Sequence, residues 1–297
     1  MQYGLSVEIR WRESKMIIKR IVPENVSDYE SILPADIAEN IGRLRHVGVA
    51  VHDREGGEIL ASMVFVLTGA GWDSDEKEIL IHWAYLKEGE GADEIFETIR
   101  QEAVKQKVKT MRVVVPETDK YNCRVLKEHG FEGKEAESPF LDLTIEEVLK
   151  LNLGKVDAEN VLPISEVTTR QFRRGLTNMI FHGARGLLED AEYLPKSWFD
   201  EDLSCFVPNG NSSNAALLVK RTASGVITPV VLYAIGPDSA ENMLKLMNFF
   251  ATKSSELYPP QTKVRIVRFN DHTRALAKKL CPDKKGEKVY IFTRSGI

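Results

Sequence analysis

The sequence predicts an α/β (α+β) protein built from two copies of one unit, and three observations carry that prediction. A strand hairpin leads into strands that alternate with amphipathic helices. The same order of elements then runs a second time, without residue identity between the copies. The length, 297 residues, suits two domains, expected at 1–150 and 151–297.

The first copy opens with a strand, Met16–Val22, closed by Pro23. Apolar residues at Val26, Tyr29, Ile32 and Leu33 have helical spacing, and a second short helix is expected at Asp36–Ile41. His46–Asp53 and Glu58–Leu67 form a hairpin about the Arg54–Gly57 turn, and Glu78–Leu86 is a further strand. Ala92, Ile95, Phe96, Ile99, Ala103 and Val104 mark one face of a helix packed on a sheet. A buried strand, Thr110–Pro116, a helix, Asp119–Phe131, and a last strand, Pro139–Ile145, complete the unit. Residues 146–160 read as a polar connection.

The second copy has a short strand at Val161–Ser165 and a long helix at Thr168–Leu188. Strands are expected at 204–207, Asn214–Thr222 and Val226–Ile235. Then follow a helix at Ser239–Leu257, a strand at Lys263–Phe269, a helix at Asp271–Leu280 and a strand at Lys288–Arg294.

Composition narrows the function. No apolar run approaches the roughly 20 residues of a membrane span. The N-terminal stretch carries charge and no apolar run before a cleavage site, so no secretory signal is expected. Three scattered cysteines without a CxxC suggest reduced thiols and a cytoplasmic protein rather than a disulfide frame or a zinc site. Residues 1–150 hold 20 Lys and Arg against 29 Asp and Glu, and residues 151–297 hold 20 against 15. That basic excess is too diffuse to argue for nucleic acid. HExxH, P-loop, GxSxG and EF-hand patterns are absent.

The chemistry concentrates in "YLKEGEGADEIF", Tyr85 to Phe96: a strand end, a loop with two glycines and a helix start. Open N–H groups and the helix dipole at such a junction attract an anion. Glu88, Glu90, Asp93 and Glu94 oppose this, although acidic residues in a first turn also stabilise the helix itself. In the second copy "AIGPDSAENML" occupies the equivalent junction, and Asp238 with Glu241 fits a capping box.

This element order resembles the GNAT acetyltransferase superfamily, most clearly over residues 46–145, with "ETDKYNCRVLKEHGF" and "RFNDHTRALAKKL" similar to the family's strand-then-helix segment. The resemblance implies two tandem GNAT-like domains, each a mixed, mostly antiparallel sheet flanked by helices, the second divergent. It implies acyl transfer from acetyl-CoA, or another acyl-CoA, to a primary amine of a small molecule or peptide. No nucleic acid or membrane partner is implied. The pantetheine arm would lie where the fourth and fifth strands part, and the pyrophosphate on the turn that follows. Tyr85, Leu86, Lys87, Gly89, Gly91 and Ala92 would then bind the cofactor, with Glu90 where the family has its first glycine.

The reaction needs a base for the amine and an acid for the leaving thiolate. Glu78 and His82 lie on one face of the fourth strand by even spacing, and either could be the base. The family's tyrosine acid falls on Leu126 and on Ala277, neither of which can donate a proton, leaving Tyr121, Tyr85 and Tyr233 as substitutes. Arg170, Arg173, Arg174, His182 and Arg185 would line the acceptor side of the second copy or form a solvated helix face. The alternative is a catalytically degenerate GNAT-like binding or scaffolding protein.

Overall fold

A computed structural model describes residues 16–43, 45–68, 77–87, 90–151, 153, 156–182, 194–268 and 271–296. The first sheet takes β1 (Ile17–Ile21), β2 (His46–His52), β3 (Ile59–Thr68), β4 (Glu78–Leu86), β5 (Thr110–Pro116) and β6 (Glu132–Glu137). Its helices are α1 (Ala35–Ala38), α2 (Ala92–Lys105) and α3 (Lys120–Glu128). The expected helix over Val26–Leu33 is a 3-10 turn at Val26–Tyr29.

β7 (Phe140–Thr144) leads through α4 (Ile145–Leu149) to β8 (Leu162–Pro163) and α5 (Thr169–Phe181). β9 (Cys205–Asn209), β10 (Ser212–Arg221), β11 (Ile227–Ala234), α6 (Ser239–Leu257), β12 (Lys263–Val267), α7 (Asp271–Leu280) and β13 (Lys288–Ser295) follow.

The seven-stranded sheet has the order β1-β2-β3-β4-β5-β13-β6, and the six-stranded sheet β7-β12-β11-β10-β9-β8. All pairs are antiparallel except β4 with β5 and β11 with β12. The two halves therefore exchange strands. β13, from the end of the chain, inserts between β5 and β6, while β7 leaves the first half and pairs with β12.

β6 is a strand that the sequence reading did not contain. Its segment, Glu-Gly-Lys-Glu-Ala-Glu, is almost wholly exposed. An edge strand with both faces in water has no apolar alternation to betray it.

The exchange is fastened at one crossing. Arg268, 9% exposed, donates to the Ser138 carbonyl at 2.6 Å and to Glu137 Oε1 at 3.2 Å. The backbone N–H of Gly286 also donates to Glu137. A Cβ at Gly286 would press on the tip of the Arg268 side chain and stand 3.1 Å from the Ser138 carbonyl, so the two chain passages approach closely here.

Both sheets are covered on both faces. Ile79, Ile81, Ile95, Phe96, Ile99, Met111 and Phe131 join α2 and α3 to one face of the first sheet, and Phe292 of β13 lies fully buried in that same core. Ile21, Tyr29, Leu33, Ile41, Ala50 and Val64 fill the opposite face. In the second sheet Leu246, Phe250 and Ala277 cover one face, and Phe172, Trp198 and Phe206 the other. All three cysteines are buried and free.

Candidate active site

β4 and β5 pair in parallel from Glu78/Thr110 to Ile81/Val113 and no further. β4 continues to Leu86 alongside β3, while β5 continues to Pro116 alongside β13. The two strands thus diverge, and past Ile81 the β5-facing edge of β4 has no strand partner among the described residues. His82 is the first residue beyond the last pair.

It is also an extra residue. Against β3 the register passes from Phe65/Ile81 to Val64/Trp83, so His82 forms a β-bulge. A bulge bends its strand and re-aims the side chain it carries. Here the bulge falls where β4 parts from β5, and the His82 side chain is exposed.

His82 Nδ1 lies 3.1 Å from Nε2 of His46 on β2, whose Nδ1 is 3.0 Å from the Arg43 carbonyl. Desolvation by the surrounding protein, and secondly the His46 imidazole, hold His82 well below its ordinary pKa, and the solvent that reaches its edge limits that depression. The ring is neutral at physiological pH. Glu78 sits in the paired part of the strands, about 13 Å back along β4. Its carboxylate holds Arg112 of β5 at 3.1 Å.

The end of β4 is as well defined. Tyr85 is half-buried and stacks on Trp83, ring centroids 6.5 Å apart, and Leu86 is buried. Lys87 donates its backbone N–H to Leu60 and pairs its ammonium with Glu58 at 2.7 Å. Gly89 lies outside the described residues. Gly91 takes φ +75° at the start of α2, where a Cβ would approach Leu60 Cβ to 2.9 Å. Among the described residues no side-chain bond caps this helix, as expected with glycine at its N-cap. Ala92 is half-buried on the next position. The nearby Asp93 carboxylate is 93% exposed and 3.6 Å from His129, so it points outward.

Tyr121 of α3 donates its hydroxyl to the Lys87 carbonyl at 3.2 Å, linking α3 to the end of β4. Leu126 and Ala277, at the expected tyrosine positions, are buried core residues.

The second sheet repeats the plan without its chemistry. Among the described residues β11 and β12 pair at Ile227/Val264 alone, and β11 carries its own bulge between Pro229 and Val231. The residue in that bulge is Val230, which has no proton acceptor. The capping box expected at Asp238 and Glu241 is absent: Asp238 makes no side-chain cap bond. Its ψ of 17° departs from the extended conformation that folds a capping carboxylate onto the helix. Of the arginines expected to line this half, Arg170 and Arg174 are exposed, Arg173 donates to the Leu194 carbonyl at 2.5 Å, and Arg185 lies outside the described residues.

His46 and Trp83 were not candidates on the sequence. His46 lies 36 residues from its partner, and only the pairing of β2 and β4 through β3 brings them together.

No protein-family model and no curated protein matches the chain. Solved structures do. A tandem GNAT protein from the clavulanic acid biosynthesis pathway matches at 9% identity over 95% of this chain and 98% of its own, with a TM-score of 0.57. A conserved protein of unknown function from Enterococcus faecalis V583 matches at 11% identity over 94% of this chain and 72% of its own, TM-score 0.51. A GCN5-related glucosamine N-acetyltransferase region of a fungal multi-domain β-N-acetylglucosaminidase matches at 10% identity over 94% of this chain and 38% of its own, TM-score 0.51. The chain has the fold of tandem GNAT proteins: two mixed sheets flanked by helices. Among the described residues no helix is long and apolar enough to cross a membrane, and no cluster of three metal-ligating side chains occurs.

Proposed function

We propose that this protein is an acyl-CoA-dependent N-acyltransferase whose working site lies in the first sheet, with 1–150 and 151–297 as its two repeat units. One observation carries the reading: an exposed, neutral histidine stands where β4 leaves β5. The matching bulge of the second sheet holds a valine.

An acyl-CoA supplies the activated acyl group as a thioester. The unpaired edge of β4 from Trp83 to Leu86 offers backbone groups to an amide-bearing arm, and Gly91 with the uncapped start of α2 offers N–H groups to a pyrophosphate. Ala92 follows Gly91 in the same turn, and Gly89 is assigned to the cofactor from its place in the sequence alone. Lys87 contributes charge there by exchanging Glu58 for phosphate.

His82 is the base. It takes the proton of the incoming amine as nitrogen bonds to the acyl carbon, and the carbon–sulfur bond breaks. The leaving sulfur takes its proton from water, because the one O–H of Tyr121 is held by the Lys87 carbonyl, five residues further along the chain from His82. Glu78 is favoured less as base, since its carboxylate is engaged with Arg112 within the paired strands. The acceptor is a primary amine of a small molecule or peptide.

Calorimetric titration of acetyl-CoA into the full chain, with thiol release measured over a panel of primary amines, tests this. Saturable binding with release that is lost in His82→Ala is expected. Absence of binding would leave the degenerate scaffold as the reading.

A further inference from the structure

We propose that His46 is a positioning residue that fixes His82 in one tautomer, the one that leaves Nε2 free to accept a proton. This rests on His82 being the base proposed above.

The tautomers follow from hydrogen-bond polarity. The Arg43 carbonyl only accepts, and it takes two bonds from His46: the backbone N–H at 2.8 Å and ring Nδ1 at 3.0 Å. His46 Nδ1 therefore carries hydrogen. In the neutral ring its Nε2 is then an acceptor, and the atom facing it at 3.1 Å, His82 Nδ1, must be the donor. A neutral His82 with hydrogen on Nδ1 has its lone pair on Nε2. The edge-on arrangement of the rings, 68° between planes, suits one N–H directed at the other ring's nitrogen.

The anchoring turn is itself constrained. Gly42 and Arg45 both have positive φ, and Gly42 donates its N–H to the His46 carbonyl at 3.2 Å. A main-chain oxygen on that turn thus sets the tautomer of a ring on another strand. The same chain handles the proton once taken. When His82 Nε2 gains the amine proton, its Nδ1 proton can pass to His46 Nε2. The cation then rests on a ring already donating to a carbonyl.

The other titratable groups on the elements that carry this pair are Arg43 and Arg45 on the turn, His52 on β2, and Glu78 and Tyr85 on β4, with Arg112 of β5 paired to Glu78. At neutral pH both rings are neutral in this arrangement, and His46, when it is protonated in acid, lowers the proton affinity of His82.

The test compares His46→Leu, which removes the acceptor, with His46→Gln, whose amide oxygen can accept the His82 Nδ1 hydrogen. Imidazole nitrogen NMR of the full-length protein without ligand should report Nδ1–H, Nε2-bare His82 in wild type and in His46→Gln, and a tautomer mixture in His46→Leu. Unfolding midpoints identify any variant that fails to fold. Turnover should fall about 10- to 100-fold in His46→Leu through kcat, with KM for acyl-CoA unchanged, and recover in His46→Gln. An Nε2–H tautomer in wild type, or an unchanged tautomer in His46→Leu, overturns the inference. So does a His46→Leu enzyme with wild-type kcat and pH profile. If the tautomer behaves as expected but no amine supports thiol release, the acyltransferase reading fails and the ring anchoring stands.

Discussion

His82 and Val230 occupy matching bulges in the two sheets and differ in one chemical respect, a nitrogen lone pair. On the proposed reading the neutral ring is the reactive form, and because its pKa is depressed the histidine should add no acid limb to the rate near 6.5. Initial rates from about pH 4 to 8 check this, and an acid limb above 6.5 would contradict it. His82→Ala should lower kcat/KM by about 10²–10⁴ with acetyl-CoA affinity retained. At the strand crossing, the Gly286 N–H first, and the Arg268 guanidinium, hold the Glu137 carboxyl below its ordinary range. A carboxylate depressed in the folded state stabilises it above the unfolded pKa, and the contribution disappears as pH falls through the folded value. Denaturant melts of Glu137→Gln should therefore show a shallower loss of stability in acid than wild type. Gly286→Ala should disturb the same crossing by pushing the Arg268 guanidinium from its place beside Glu137 and Ser138.

At the scale of elements, the slot is a consequence of β4 serving two partners in turn. It is held by β5 as far as Ile81 and by β3 throughout, and the bulge lets it part from one without losing the other. The start of α2 is fixed by Gly91, whose left-handed φ a side chain would adopt at a cost of about 1–3 kcal/mol. Gly91→Ala adds a contact with Leu60 and should lower both the unfolding midpoint and acetyl-CoA affinity. A variant that loses stability with unchanged affinity would remove this turn from the binding site. The N-terminus of α6 shows how local pattern misleads. Asp238 and Glu241 have capping-box spacing, yet the backbone entering the helix has the wrong ψ for the side chain to fold back.

For the whole molecule, the strand exchange makes each half incomplete. Residues 1–150 lack β13, and with it Phe292, which is fully buried in the first core. Phe292→Ala should cost about 3–5 kcal/mol, although residue 292 belongs to the second half of the chain. Deleting residues 288–297 should leave β5 and β6 without the strand between them and abolish binding at the first sheet. Calorimetric unfolding of the intact chain should give one transition. Two well-separated transitions, or a folded 1–150 fragment, would show that the exchange does not couple the halves. The contact between Asp36 and Ser224, with the Glu39–Lys220 ion pair at 3.3 Å, adds a polar link from α1 to the second sheet.

The sequence by itself determined the class of fold, the repeat of elements and the position of the turn after β4. Each of these is written in local spacing: two for strands, 3.6 for helices, glycine where the chain must turn. Strands such as Glu78–Leu86 were legible because one face must be apolar, and β6 was not because neither of its faces is buried. His82 was legible as a candidate on its strand. Its partner His46, the bulge that exposes it and the exchange of β7 and β13 were decided only in the tertiary structure. A hydrogen bond between side chains far apart in sequence, and a choice of sheet for a terminal strand, depend on which surfaces meet after the helices have packed, and no local period records that.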